Sequence, residues 1–236
     1  SLQTMAGGGK GEPVRVLAVF GSESGTAKAA IKGLCASLGK DGDVQIVDIK
    51  EGNSVGALET LKEKYDFLLV ATSSFGEGDP PDNYAGFLAK LLKGSKSAEY
   101  PLSGMQHAVL GLGSSCYDTF QNVPRLTDKM LGECGSRRIA QRCELDDSGP
   151  GEDTSRQQVK DFETAVLKEL KARTPPESKP VCAWSLPASQ ILEKTESDLS
   201  GFSLGDGGGG FGMVFGGVVA LAAIGAGLYY NGMLPI

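Results

Sequence analysis

Short apolar runs alternate with amphipathic segments along most of the chain. The apolar runs are rich in β-branched residues, as buried parallel strands are. They are Val14–Phe20, Asp43–Ile49, Phe67–Ala71, Met105–Leu110 and a short last run that begins at Arg138–Ala140. Apolar residues recur at helix spacing in the segments between and after them, which start at Thr26, Ala57, Tyr84, Val123 and Gln158. Five such rounds predict an α/β three-layer sandwich with a five-stranded parallel sheet.

This pattern divides the chain into four parts. Residues 1–12 are glycine-rich and polar and predict a flexible lead-in, whereas residues 13–173 carry the alternating pattern. Residues 174–206 open with the proline-rich segment Thr174–Pro180 and predict a linker. Residues 207–236 contain no charged side chain.

The uncharged C-terminal part predicts a transmembrane helix. Phe211–Tyr230 supplies roughly the twenty apolar residues that cross a bilayer, and it ends on two tyrosines, where interfacial aromatic residues belong. Gly212, Gly216 and Ala220 recur at four-residue spacing, a pattern that lets a partner helix approach closely. The alternative is a glycine-rich core helix or a disordered tail, although a soluble helix is seldom apolar on every side.

Charge and rare residues exclude several classes of function. The formal net charge is -6 and no basic stripe occurs, which argues against nucleic acid as a partner. The cysteines are odd in number and form no Cys-x-x-Cys pair, so we expect no disulfide framework, no zinc site and a reducing compartment. The only histidine, His107, lies inside an apolar run and is interpreted as a strand residue. We therefore predict no catalytic triad and no metal centre.

The segment Gly21–Ala27 follows the first predicted strand and reads GSESGTA. Its serine and threonine hydroxyls can donate hydrogen bonds, Gly25 lets the backbone approach a ligand, and a helix starts at Thr26. The N–H groups and positive end of a helix attract an anion. The segment has neither the Gly-Lys-Ser/Thr of a nucleotide-binding P-loop nor the dinucleotide glycine fingerprint. It predicts a phosphate site.

Two further glycine-rich loops each add an aromatic ring. Phe75 lies in Ser74–Asn83 and Tyr117 lies in Gly111–Phe120, and each loop follows an apolar strand. Loops at the carboxyl ends of parallel strands meet where the strand order reverses. Stacking on a flat ligand contributes about 1 kcal/mol per ring beyond the buried area. A phosphate site between two rings favours a phosphorylated, redox-active ring system, of which FMN is the obvious example.

These three loops resemble the FMN-binding loops of the flavodoxin-like domain in diflavin reductases, the group of sulfite reductase flavoprotein and methionine synthase reductase. The acidic segment Glu144–Asp147 and the pair at 152–153 are similar to the segment after that family's fifth strand. The resemblance covers Val14 to Leu170 and implies a flavodoxin-like fold with FMN as cofactor. It implies that Ser22, Ser24, Gly25 and Thr26 hold the phosphate, that Phe75 and Tyr117 sandwich the ring and that Asp147 lies near it. The full set of expected FMN-binding residues is Ser22, Glu23, Ser24, Gly25, Thr26, Ala27, Ser74, Phe75, Gly76, Gly78, Leu112, Gly113, Ser114, Cys116, Tyr117, Phe120 and Asp147.

The chain departs from the family pattern at three places. Ser74-Phe75 stands where Thr-Tyr is common, Ser114-Ser115-Cys116 replaces Asn-x-Thr, and Glu23 replaces a neutral residue beside the phosphate loop. The FAD- and NADPH-binding modules of the family have no counterpart in these residues. We therefore expect an electron carrier that is reduced by another protein.

The leading hypothesis is a membrane-anchored FMN protein that carries one electron at a time to a redox partner or membrane complex. The glycine- and alanine-rich span favours the plastid thylakoid, with the flavin domain on the stromal side and photosystem I as a possible complex. The endoplasmic reticulum or mitochondrial outer membrane, with the domain facing the cytosol, is the alternative. A different class of function is a structural or docking subunit of a membrane complex, whose flavodoxin-like domain need not bind FMN.

Overall fold

A computed structural model describes residues 11–149 and 151–173, together with Leu199. The strands are β1 (Val14–Gly21), β2 (Val44–Glu51), β3 (Phe67–Ser73), β4 (Gln106–Gly113), β5 (Arg137–Arg138) and β6 (Cys143–Asp146). The α-helices are α1 (Thr26–Leu38), α2 (Leu58–Lys64), α3 (Ala85–Ser95), α4 (Asn122–Glu133) and α5 (Glu152–Ala172), and a single 3₁₀ turn spans Gly52–Ser54.

All pairings in the sheet are parallel, and the strand order is β2-β1-β3-β4-β5, with β6 also paired to β4. The predicted parallel α/β sandwich is confirmed. The last strand differs from the prediction, because it is split: β5 pairs with the start of β4 and β6 pairs with its end. The chain between them, residues 139–142, leaves the ladder.

Helices cover both faces of the sheet. On one face, α1 and α5 bury apolar residues such as Ile31, Leu34 and Val166 against β1, β3 and β4. On the other face, α2, α3 and α4 form a second apolar cluster that includes Leu58, Leu88 and Leu126. The strands β1 and β3 alternate their side chains between these two clusters, which explains why both read as continuous apolar runs.

Some helix boundaries differ from the predicted ones. The last helix begins at Glu152 rather than Gln158, because acidic residues such as Glu152 and Asp153 suit the positive N-terminal turn and need no apolar contact to be helical. Tyr84 precedes α3 instead of starting it. Its ring is fully buried, and its hydroxyl lies 3.0 Å from the Thr127 hydroxyl of α4.

The predicted linker and membrane span lie outside the described residues, with one exception. Leu199, within the predicted linker, is 2% exposed and belongs to the apolar cluster on the α2–α4 face. Within 11–149 and 151–173, no helix combines the length and the hydropathy that crossing a bilayer requires.

The end of β1 has no room for a side chain. A Cβ added at Gly21 would lie 2.5 Å from Tyr84 Cβ and 2.6 Å from Thr72 Oγ1. A Cβ added at Gly42, in the α1–β2 connection, would meet no atom within 4 Å. Both positions lack the positive φ that would itself disfavour alanine.

We predict that Gly21→Ala lowers the free energy of unfolding by about 1–3 kcal/mol through overpacking. Gly42→Ala, the matched control, should change it by less than about 0.5 kcal/mol. Urea unfolding of both variants checks this, and equal effects of the two substitutions would contradict the described packing at Gly21.

Candidate functional site

The three glycine-rich loops begin at one level of the sheet. Gly21 at the end of β1 is paired in register with Thr72 of β3, and Thr72 is paired with Gly111 of β4. The loops therefore emerge side by side at the carboxyl edge. The strand order reverses between β1 and β3, which is where doubly wound sheets form a crevice for ligands.

The first loop leads directly into the N-terminus of α1. Gly25 precedes the helix with φ +87°, a conformation that favours glycine, and a Cβ there would meet nothing within 4 Å. The residue before the helix, Gly25, makes no side-chain hydrogen bond to it, and the hydroxyls of Ser24 and Thr26 lie 3.0 Å apart. A helix start with backbone N–H groups and adjacent hydroxyls is a donor set that suits a phosphate.

Not every predicted residue of the first loop presents its side chain to a ligand. The methyl group of Ala27 is buried in the core. The backbone N–H of Ala27 donates to Ser22 Oγ at 3.2 Å. The Glu23 carboxylate accepts the Asp82 N–H at 2.6 Å, so it joins the first loop to the second.

The second loop is a tight turn that projects an aromatic ring. Phe75 and Asp79 exchange backbone hydrogen bonds of 2.8 and 2.7 Å, and Gly76 and Gly78 between them adopt positive φ. Phe75 is 60% exposed as a result. The hydroxyl of Ser74 accepts the Val123 N–H at 2.9 Å, which places it at the first turn of α4.

The third loop carries the other exposed ring. Tyr117 is 58% exposed, whereas Phe120 is partly buried and lies under Gly113, where an added Cβ would be 3.1 Å from its ring. Exposure of a large aromatic side chain forgoes the free energy of its burial. Two such rings on adjacent loops are therefore available to stack on a flat ligand.

Side-chain hydrogen bonds join the loops into one unit. Asn83 Oδ1 accepts the Ser22 N–H at 3.0 Å between the first and second loops. Asn122 Nδ2 donates to the Gly78 carbonyl at 3.1 Å between the second and third loops. Thr119 adds a weaker contact to the Gly76 carbonyl at 3.3 Å. Asn83, Asn122 and Thr119 were not among the predicted site residues, although the position of Asn83 at the end of the second glycine-rich loop is a signal in the sequence.

The end of β6 holds the third loop. Asp146 Oδ1 accepts the N–H groups of Ser115 and Ser148 at 2.8 and 3.0 Å, and Asp147 donates its N–H to the Gly113 carbonyl. The hydrogen bonds from Ser115 lower the pKa of Asp146 below its usual value. Asp147 itself is exposed, so the structure gives the ordering role to Asp146.

The remaining predicted residues of the third loop form its inner surface. Leu112 packs against the apolar cluster beneath α1 and α5. Ser114 Oγ lies 2.5 Å from Ser148 Oγ, and Cys116 Sγ lies 3.1 Å from the same oxygen. Of the described cysteines Cys116 is the exposed one.

His107 is a strand residue, as predicted. Its ring is fully buried in β4, with Nδ1 2.8 Å from Ser136 Oγ and Nε2 3.2 Å from Asp128 Oδ1. Burial lowers the pKa of His107, which therefore stays neutral at neutral pH. Although Ser, His and Asp are aligned, solvent and substrate have no access to them. Among the described residues, no His, Cys, Asp and Glu side chains are grouped as a metal site.

Comparison with known proteins identifies the family. The family model for flavodoxin matches residues 19–159, more than half of the chain. The chain belongs to the flavodoxin family. Methionine synthase reductase from Caenorhabditis elegans is 32% identical over 136 residues, which is 56% of this chain and 19% of that protein.

A second curated relative agrees with this assignment. The sulfite reductase [NADPH] flavoprotein alpha-component of Neisseria meningitidis serogroup C is 34% identical over 139 residues, 57% of this chain and 21% of that protein. The chain thus spans about a fifth of the length of these curated relatives. Oxidised flavodoxin 2 from Bacillus cereus has the same fold, with a TM-score of 0.55, 21% identity and coverage of 66% of this chain and 99% of that one.

FMN is the cofactor of this family, and the crevice fits it. The open space at Gly25, the N-terminus of α1 and the two exposed rings match a phosphate and a flat ring system. FMN bound here would have its phosphate at the start of α1 and its ring between Phe75 and Tyr117.

We predict that Asp146→Ala weakens FMN binding about ten-fold or more, because two loop N–H groups lose a charged acceptor. Asp147→Ala, next to it and exposed, should weaken binding less than about two-fold. Titration of each apoprotein with FMN, followed by quenching of flavin fluorescence, measures both. A larger loss in Asp147→Ala would instead give the ordering role to Asp147.

Proposed function

We propose that this flavodoxin-family chain is an FMN-dependent one-electron carrier whose redox partner is a protein with a cationic surface. The observation that carries the proposal is the pair of exposed rings, Phe75 and Tyr117, on loops that are hydrogen-bonded together beside the start of α1. Bound FMN supplies one-electron redox chemistry, and the protein tunes it through charge and hydrogen bonds.

The loops themselves hold and orient the cofactor. Backbone N–H groups at the start of α1 bind the phosphate, and the hydroxyls of Ser22, Ser24 and Thr26 lie beside them. Backbone from Gly113 to Cys116 would border the edge of a bound ring, and Asp146 fixes this stretch at Ser115.

The charge around the crevice has a single sign. None of the four segments 21–26, 74–83, 111–121 and 144–153 contains Lys or Arg, whereas each contains at least one carboxylate. The exposed acids Glu23, Glu77, Asp82, Asp118 and Asp147 lie on these loops. Such a surface attracts a basic partner and accelerates its encounter at low salt. It also disfavours additional negative charge on a bound flavin.

Membrane attachment is part of the proposal and rests on the sequence. Phe211–Tyr230 would act as the anchor, and its Gly212, Gly216 and Ala220 stripe would contact a partner helix. The thylakoid membrane, with the flavin domain on the stromal side and photosystem I as the associated complex, remains the favoured location. The endoplasmic reticulum or the mitochondrial outer membrane is the alternative.

We predict that the chain binds one FMN and becomes yellow, with a flavin band at about 450 nm. Phe75→Ala and Tyr117→Ala should each weaken binding about ten-fold or more, because stacking and ring burial are lost together. Tyr100→Ala is the control, since Tyr100 is 43% exposed but lies on the α3–β4 connection at the opposite edge of the sheet. If the wild-type chain stays colourless with excess FMN, the carrier assignment is wrong and the docking-subunit hypothesis remains.

We predict that the full chain associates with lipid vesicles and stays with them in high salt, because burial of an apolar span does not depend on ionic strength. A chain that ends at residue 206 should remain in solution. Vesicle flotation of both proteins measures this. Recovery of the full chain in the lipid-free fraction would contradict the anchor.

A further inference from the structure

The break in the last strand contains a largely buried arginine beside the apolar residues Ile139 and Ala140. Residues 139–142 lie between β5 and β6, and Arg142 immediately precedes β6. Its side chain is only 9% exposed. A guanidinium this far from water needs charged or polar partners on several sides.

Arg142 bridges two carboxylates on different elements. Its NH1 group lies 2.5 Å from Asp128 Oδ2 of α4, while its Nε and NH2 groups lie 2.8 and 2.6 Å from Glu144 Oε1 of β6. The planar fork of arginine can hold both contacts at once, and lysine cannot reproduce that geometry.

The Asp128 end of this bridge is fixed independently. Asp128 is 1% exposed and also accepts hydrogen bonds from Arg138 Nε at 2.6 Å and His107 Nε2 at 3.2 Å. Burial opposes its ionisation, but the hydrogen bonds from His107 and Arg138 and the charge of Arg138 outweigh that effect and lower its pKa. Asp128 is therefore a charged, immobile anchor on α4.

The Glu144 end of the bridge lies on β6, the strand that holds the third loop. Glu144 also pairs with Arg125 of α4, at 2.9 Å to Nε and 2.7 Å to NH2. Residues two apart in a strand point to the same face, and the residue two beyond Glu144 is Asp146. Asp146 holds the Ser115 N–H of the third loop at 2.8 Å.

We propose that Arg142 is a positioning residue for the third loop, acting through Glu144 and β6 on Asp146. β6 is four residues long and pairs with β4 on one side. The ladder alone gives so short a strand few hydrogen bonds, so the two arginine–carboxylate contacts fix its position against α4. The effect of Arg142 on FMN affinity rests on the proposed function, whereas its effect on the third loop does not.

Removal of the bridge should loosen the loop before it unfolds the domain. In Arg142→Met the Glu144 carboxylate keeps Arg125 but loses its link to Asp128, so β6 is released from its buried anchor. A purely stabilising ion pair would lower global stability without a preferential effect at Ser115. The two alternatives therefore differ in where amide exchange increases.

The test compares Arg142→Met with Arg15→Met. Arg15 makes a similar two-contact pair with Asp66, at 3.0 and 2.8 Å, near the amino ends of β1 and β3 and far from the loops. Amide hydrogen exchange of the full-length apoprotein should be about ten-fold faster at Ser115 in Arg142→Met, with little change there in Arg15→Met. Arg142→Lys should restore part of the protection.

The second readout is FMN affinity, with urea unfolding of each variant to correct for the folded fraction. Arg142→Met should raise the Kd for FMN about ten-fold relative to Arg15→Met. Equal effects of the two variants on Ser115 exchange and on Kd would overturn the proposal. If the wild-type chain binds no FMN, the carrier function fails, and the exchange comparison still decides the role of Arg142. If Arg142→Met does not fold, Glu144→Gln breaks the same link at a residue that is 24% exposed, with the same expected result.

Discussion

The parallel register of β1, β3 and β4 is the constraint on which the site depends. It aligns Gly21, Thr72 and Gly111 across the sheet, so three loops that are distant in sequence begin at one level. Short contacts at this level leave no room for side chains, as the packing of Tyr84 against Gly21 shows. The fixed register of the strands therefore keeps the three loops at the positions where they can bind one ligand together.

The loops are ordered by polar contacts rather than by apolar packing. Asn83, Asn122 and Asp146 each donate to or accept from the backbone of a neighbouring loop. Because these hydrogen bonds satisfy the loop backbone, the loops stay ordered although their aromatic rings are exposed. Phe75 and Tyr117 are thus held ready for a flat ligand by contacts that they do not make themselves.

The exposed acidic residues and the buried ion-pair cluster lie at different depths beside the third loop. The rim of the crevice is acidic and hydrated, where charges act mainly on approaching partners. Behind the third loop, Arg125, Arg138 and Arg142 are largely buried with Asp128 and Glu144, where charges are poorly screened and fix geometry. The exposed charges can therefore attract a partner protein, whereas the buried ion pairs position the third loop.

The architecture could be predicted from the sequence because the periodicity of apolar residues is a local property of each strand and helix. The runs around β1, β3 and β4 are buried on both faces, so their continuous apolar pattern is unambiguous. It gave one unbroken last strand and not the split pair β5 and β6, because the two pieces are too short to have a period. The acidic start of α5 was also missed, since it makes few core contacts.

The residue types of the site were visible in the chain, but their partners were not. The glycines, hydroxyls and two aromatic residues that suit a phosphorylated ring could be located by spacing after each strand, and this determined the family resemblance. Only the tertiary structure showed that Glu23 binds the second loop, that Asp146 rather than Asp147 orders the third, and that Arg142 connects α4 to β6. A hydrogen bond depends on the distance between residues far apart in sequence, and that distance is fixed only when the sheet and helices pack.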